Sequence, residues 1–176
     1  MKRREIDFRE YAKDIIAALP RGILLTTEAD GKVNSMVIGW GTLGINWRKP
    51  VFAAYVRKSR FTHDLLEKNP EFTVNVPMGS FDPEILSVCG SKSGRDLDKL
   101  EACGLTTVEA RKISVPALKE FPLTLECRVM YRQDQDAEEY DADTLSSLYP
   151  ADAQGVRDIH TTYFGEIVDA YILEED

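Results

Sequence analysis

Short runs rich in β-branched and aromatic residues recur along this chain with little sequence between them for crossover helices, which favours a barrel over a doubly wound parallel sheet. Gly22–Thr27 reads as a strand, Asp30-Gly31 as a two-residue hairpin turn, and Val33–Trp40 as the partner strand. Pro50–Val56 and Glu71–Val76 predict further strands, separated by a short helix over Thr62–Lys68 that Pro70 ends. Leu123–Gln133 and Thr161–Leu173 return to strand patterning.

Helical signals are peripheral to this series. Ile6, Tyr11, Ile15 and Leu19 fall close to helical spacing before Pro20 and Gly22, which predicts an amphipathic helix within residues 1–20. Phe81–Val88 and Ser93–Ala102 predict two further short helices, and the acidic piece Asp134–Asp143 a solvated loop. With 176 residues, 43% of them apolar, and no repeat or linker, the expectation is a single domain over 1–176. Its fold class is α+β dominated by β: an N-terminal helix, then a barrel over 22–172.

Charge and composition narrow the function. A net charge of -8 repels phosphate backbones and weighs against a general nucleic-acid binder, so any anion site must be local. No apolar run approaches the roughly 18 residues of a membrane helix, and the charged start Met1–Glu10 lacks a signal-like hydrophobic stretch. A soluble, cytoplasmic protein with no membrane contact is expected. Cys89, Cys103 and Cys127 show no CxxC spacing, so reduced thiols are expected. With His63 and His160 the only histidines, a His-rich zinc site is excluded and no metal is expected.

The sharpest local feature is Arg57-Lys58-Ser59-Arg60-Phe61-Thr62, a cationic cluster with interleaved hydroxyls in an acidic chain. Forked Arg donors, hydroxyls and a helix starting near Thr62, with Thr62 itself as N-cap, suit a phosphate clamp. A solvated strand end pairing with some of the 30 acidic residues accounts for the cluster equally well. The run Cys89-Gly90-Ser91-Lys92-Ser93-Gly94-Arg95-Asp96 offers backbone amides that can approach an anion, or is an ordinary interhelical loop; it lacks the P-loop pattern. Gly39–Gly44 matches GxGxxG, but Trp47 and Pro50 follow too soon for the helix that a dinucleotide fold needs. That stretch is either backbone exposed beside Trp40 for a flat aromatic ligand or a glycine-rich turn. His160 is structural or, through its tunable charge, suited to redox work. No GxSxG elbow supports a serine hydrolase.

In this order, Asp30–Asn34, Met36-Val37-Ile38-Gly39-Trp40-Gly41-Thr42, Arg57–His63, Phe72-Thr73-Val74-Asn75-Val76, and His160 with Gly165-Glu166-Ile167-Val168 resemble the flavin reductase family, with its FMN-binding split β-barrel, and especially its flavoredoxin-like branch. The resemblance spans Gly22–Ile172. It implies that the stretch holding Met36, Ile38, Gly39, Trp40 and Thr42 runs along the isoalloxazine and ribityl chain, with Asn34 also among the cofactor-binding residues. It implies that Arg57, Lys58, Ser59, Arg60 and Thr62 hold the phosphate, and that Cys89, Gly90, Ser91, Lys92 and Ser93 close over the cofactor, Lys92 touching the anion. His160 would lie near the flavin face where nicotinamide or another reductant approaches. Met36, Ile38, Gly39 and Trp40 replace the hydroxyl-rich pattern of two-component monooxygenase reductases, which implies a fixed prosthetic FMN. The resemblance further implies a homodimeric, NAD(P)H-dependent oxidoreductase. The alternatives are an electron carrier of flavoredoxin type serving a redox protein partner, and a non-flavin module for another phosphorylated ligand such as pyridoxal phosphate or a nucleotide.

Overall fold

The computed structural model describes residues 1–175. In chain order the elements are β1 (Lys2–Glu5), α1 (Ala12–Ala18), a 3-10 turn (Leu19–Arg21), β2 (Ile23–Ala29), β3 (Lys32–Ile38), β4 (Gly41–Asn46), β5 (Lys49–Arg57), α2 (Phe61–Lys68), β6 (Glu71–Val76), α3 (Pro83–Ser91), α4 (Lys99–Ala102), β7 (Thr107–Val108), β8 (Ala117–Leu118), β9 (Leu123–Asp134), a 3-10 turn (Ala137–Glu139), α5 (Ala142–Leu148) and β10 (His160–Glu174). Asp30 and Gly31 both take positive φ, 54° and 71°, as a tight hairpin turn requires, and they set the register from Ala29↔Lys32 to Ile23↔Ile38.

The large sheet runs β3-β2-β6-β9-β10-β5-β4, with β1 also paired to β10, and every pairing is antiparallel. Met36 and Ile38 from β3 share one apolar core with Phe52 and Val56 from β5, although these strands lie far apart in the sheet order. The sheet must therefore curl around that core, whose middle is filled by Leu25, Val74, Leu125 and Tyr163. At Gly165 on β10 a Cβ would stand 2.6 Å from Cζ of Phe72, so the ring lies directly against bare backbone. A second cluster, including Leu24, Ile85, Cys89, Leu118 and Phe121, binds α3 to the outer surface of the sheet. The expected architecture, mostly sheet with peripheral helices, is the one observed.

Several elements differ from expectation, each for a physical reason. The N-terminal helix is confined to Ala12–Ala18, because residues 2–5 add a strand to β10 and Ile6 continues it, its N–H donating to the Ala170 carbonyl at 3.1 Å. The stretch after Trp40 is strand β4, joined to β5 through Trp47 and Arg48 at φ 50° and 60°. Neither residue is a usual turn former, so this hairpin left no sequence signal. The helix expected over Ser93–Ala102 shrinks to Lys99–Ala102, because the Asp98 carboxylate accepts from the Leu100 and Glu101 N–H groups and starts it there. Part of the acidic loop is also ordered: Asp141 caps α5 by accepting from Thr144 N–H at 2.8 Å. Among the described residues no helix is long and apolar enough to cross a membrane, and no His/Cys/Asp/Glu group could hold a metal.

Candidate functional site

Two hollows meet where β3 passes the start of α2. The first, a cavity of about 170 Å³, is lined by Met36, Val37, Ile38, Gly39 and Trp40 with Tyr55, Arg57, Arg60 and His160. The second, a cleft of about 150 Å³, is lined by Asn34, Met36, residues 59–62, residues 91–95 and Lys99. Met36 and Arg60 border both, so the two form one depression with a flat end and a cationic end.

The cleft is assembled from three parts of the chain. Arg60 occupies the N-cap position of α2 and reaches across to the last turn of α3, its Nη1 donating to the Gly90 carbonyl at 3.3 Å. Thr62 is not the cap: it lies inside the helix, buried, where its hydroxyl accepts from Asn34 Nδ2 at 2.9 Å. The loop after α3 packs tightly on this pair, since a Cβ on Gly94 would stand 2.0 Å from Asn34 Oδ1 and 2.8 Å from Phe61. Arg95 donates to the Ser59 carbonyl at 3.0 Å and to Asp64 at 2.7 Å, with its guanidinium 5.5 Å from the Phe61 ring centroid.

Lys99 is the least ordinary member. It is 4% exposed, its Nζ donates to the Cys89 carbonyl at 3.1 Å, and among the described residues no carboxylate pairs with it. Burial, with repulsion from Arg60, pulls its pKa below the usual lysine value. A buried ammonium without a counter-charge costs several kcal/mol (order of magnitude), a cost that the one carbonyl partner of Lys99 offsets only in part.

At the flat end, the His160 ring is 7% exposed and lies 5.2 Å, centroid to centroid, from the 44% exposed Trp40. Its Nδ1 shares a 2.7 Å hydrogen bond with the Tyr149 hydroxyl. Burial, reinforced by the Arg57 charge, pushes its pKa down to about 4, so the ring is neutral at physiological pH. Arg57 is held by the carbonyls of Leu148 (2.9 Å) and Asp158 (3.2 Å), with its guanidinium over the Tyr149 ring.

Not every expected site residue arrives here. Lys58 leaves the cationic cluster: its ammonium pairs with Asp134 at 2.5 Å and borders other surface grooves. Ser59 does line the cleft, but its N–H and hydroxyl are taken by the Asp158 carboxylate at 3.1 and 2.6 Å. The Thr42 hydroxyl meets Tyr55 OH at 2.7 Å, outside the cavity lining. Cys89 is a core residue whose thiol burial pushes up to about 12, and Gly90 contributes its carbonyl to Arg60. Ser91, Lys92 and Ser93 border the cleft. Sequence reasoning missed Val37, Tyr55, Phe61, Gly94, Arg95 and Lys99 as lining residues. Gly94 and Arg95 stood in the glycine-bearing run, whereas Lys99 was hidden by the overlong helix expected there.

Solved structures share this architecture. Flavoredoxin from Methanosarcina acetivorans superposes with a TM-score of 0.65 at 27% identity, covering 87% of this chain and 68% of that one. An FMN-binding domain of a flavin reductases-like enzyme from Shewanella baltica gives 0.67 at 16% identity, covering 97% and 77%. A flavin reductase with a split barrel domain from Shewanella frigidimarina gives 0.64 at 19%, covering 97% and 76%. The curled antiparallel sheet with its peripheral helices is thus a split-barrel domain. Residues 16–176 match the flavin reductase like domain, and the chain belongs to that family. It spans 55%, 64% and 63% of the lengths of the curated relatives it matches, at 33%, 29% and 31% identity.

Proposed function

We propose that this chain binds FMN as a fixed prosthetic group and works as a flavin-dependent oxidoreductase fed by NADH or NADPH. The observation that carries this reading is the buried Lys99 ammonium, bonded to a carbonyl and paired with no carboxylate among the described residues, in a cleft shared with Arg60, Lys92 and Arg95 that adjoins the cavity beside Trp40 and His160. A phosphate monoester brings the missing charge and oxygens enough for several donors. The stretch Met36–Trp40 offers backbone and apolar side chains to a flat heteroaromatic ring. When bound, the flavin supplies hydride and electron transfer, and the protein supplies orientation and electrostatics.

The residues present divide that work. Lys99 and Arg60 fix the charged end, the Asn34–Thr62 bond and Gly94 hold the cleft wall in place, and Trp40 shields the ring end from water. Neutral His160 adds no positive charge at the ring face. The FMN named for the Shewanella baltica domain supports this ligand. The likeness to flavoredoxin favours a second reading, an electron carrier that exchanges with a redox protein and turns over nicotinamide nucleotides slowly. A homodimer in the cytoplasm completes the proposal. The homodimer draws support from the Trp47, Tyr131 and Phe164 rings, which cluster at 5.7 to 5.9 Å, with Trp47 and Tyr131 exposed.

The test is an absorbance spectrum of the purified protein with and without added FMN, followed by anaerobic NADH. Flavin bands that NADH bleaches support the reductase, and bands that persist support the carrier. A colourless protein that gains no flavin bands overturns both.

A further inference from the structure

The excursion between β9 and β10 brings Tyr149, which is not among the residues lining the cavity, against His160, which is. Tyr149 is 2% exposed and has one proton to give. Two acceptors are in reach: His160 Nδ1 at 2.7 Å and Gln135 Oε1 at 3.3 Å. Gln135 Oε1 already accepts from Tyr140 OH at 2.7 Å, which leaves the histidine nitrogen as the shorter and less contested partner. Burial keeps the Tyr149 phenol protonated by raising its pKa. Arg57, which lines the cavity beside His160, is occupied by the Leu148 and Asp158 carbonyls, and among the described residues no side chain donates to His160 Nε2.

We propose that Tyr149 is the positioning residue for His160: by donating to Nδ1 it places the ring proton on Nε2, the nitrogen left for the cavity, and presents a hydrogen-bond donor to an acceptor atom on the bound ligand. The buried ring packs between Trp40, 5.2 Å away centroid to centroid, and Tyr149, which meets it edge-on at 5.5 Å. A donor at that place recognises a carbonyl oxygen or an unprotonated ring nitrogen, which flat heteroaromatic ligands carry at their edges. The identity of the ligand as a flavin rests on the reading above. The position of the proton does not.

The experiment is ¹⁵N–¹H correlation of the imidazole nitrogens in ¹⁵N-histidine-labelled protein without added flavin, at neutral pH. With only His63 and His160 in the chain, the His63→Asn variant assigns both rings. A pyridine-type Nδ1 and a protonated Nε2 for His160 are expected, and a proton on Nδ1 overturns the proposal. Tyr149→Phe should turn the single tautomer into a mixture, and an unchanged spectrum in a variant with wild-type amide shifts elsewhere refutes the role of the hydroxyl. If Tyr149→Phe does not fold, Gln135→Leu decides: it removes the competing acceptor, which also receives Tyr140 OH, and leaves Tyr149 and His160 in place, so a His160 tautomer that switches there overturns the proposal and one that persists supports it. FMN titration separates the two readings. Loss of one hydrogen bond in Tyr149→Phe should weaken FMN roughly fivefold, whereas a wild type with the expected tautomer and no FMN binding discards the flavin and keeps the positioning.

Discussion

Replacing Lys99 with methionine removes one charge from the cleft while keeping most of the side chain's length and apolar stem. Without ligand two effects oppose each other. The variant no longer buries an ammonium whose recorded partner is a carbonyl 3.1 Å away, which relieves a desolvation cost. It also leaves the Cys89 carbonyl without that donor, which costs about 1–3 kcal/mol. The melting temperature of the flavin-free protein should therefore move little in either direction. With ligand only one effect remains: hydrogen bonds to a charged group contribute about 1.5–3 kcal/mol, so FMN should bind roughly 10- to 150-fold more weakly. Riboflavin, which lacks the phosphate, should bind the variant and the wild type alike. Fluorescence-quenching titrations with both flavins read the difference. Equal weakening of FMN and riboflavin, or no weakening of FMN, would refute Lys99 as the phosphate's charge partner.

Three further outcomes are expected. Lys58→Ala should leave the FMN dissociation constant within about twofold, because an exposed pair with Asp134 contributes at most about 1 kcal/mol and lies outside the cleft; a tenfold loss in titration would return Lys58 to the phosphate clamp. Gly94→Ala forces a Cβ to 2.0 Å from Asn34 Oδ1 and should lower stability by about 1–3 kcal/mol together with FMN affinity, and unchanged melting and binding would show that the loop yields freely. His160 titrates near 4 when folded against an ordinary 6.5, so its neutral form contributes stability fully above pH 6.5 that is lost as pH falls toward 4. Melting temperature should therefore depend less steeply on pH across that window in His160→Gln, and parallel curves would contradict a buried, neutral imidazole.

The strands around the core were legible because β-branched and aromatic residues mark a half-buried pleated surface wherever they alternate or cluster. The hairpin at Asp30-Gly31 was legible because positive φ at both turn positions selects for those residue types. The hairpin through Trp47 and Arg48 was not, since the same conformation there is imposed by the pairing of Asn46 with Lys49 and leaves no compositional trace. At the site, the run Met36–Trp40 and the Ser91–Ser93 loop were read where they lie. The cationic cluster was legible as a cluster, and only part of it serves the cleft.

The chain's own pattern thus determined a β-rich domain, one of its hairpins, and several of the segments that line the cleft. Only the tertiary structure decided which side chains enter it. Consecutive residues leaving a strand point in different directions, so Arg60 turns into the cleft while Lys58 turns out to Asp134. The cleft's buried charge comes from Lys99, thirty-odd residues further along, where Asp98 happens to start a short helix; the partner of His160, Tyr149, comes from beyond the acidic piece Asp134–Asp143, where the sequence predicts no element. Propensity acts within a few residues, whereas desolvation and counter-charge are set by whichever groups the curled sheet brings within hydrogen-bond distance.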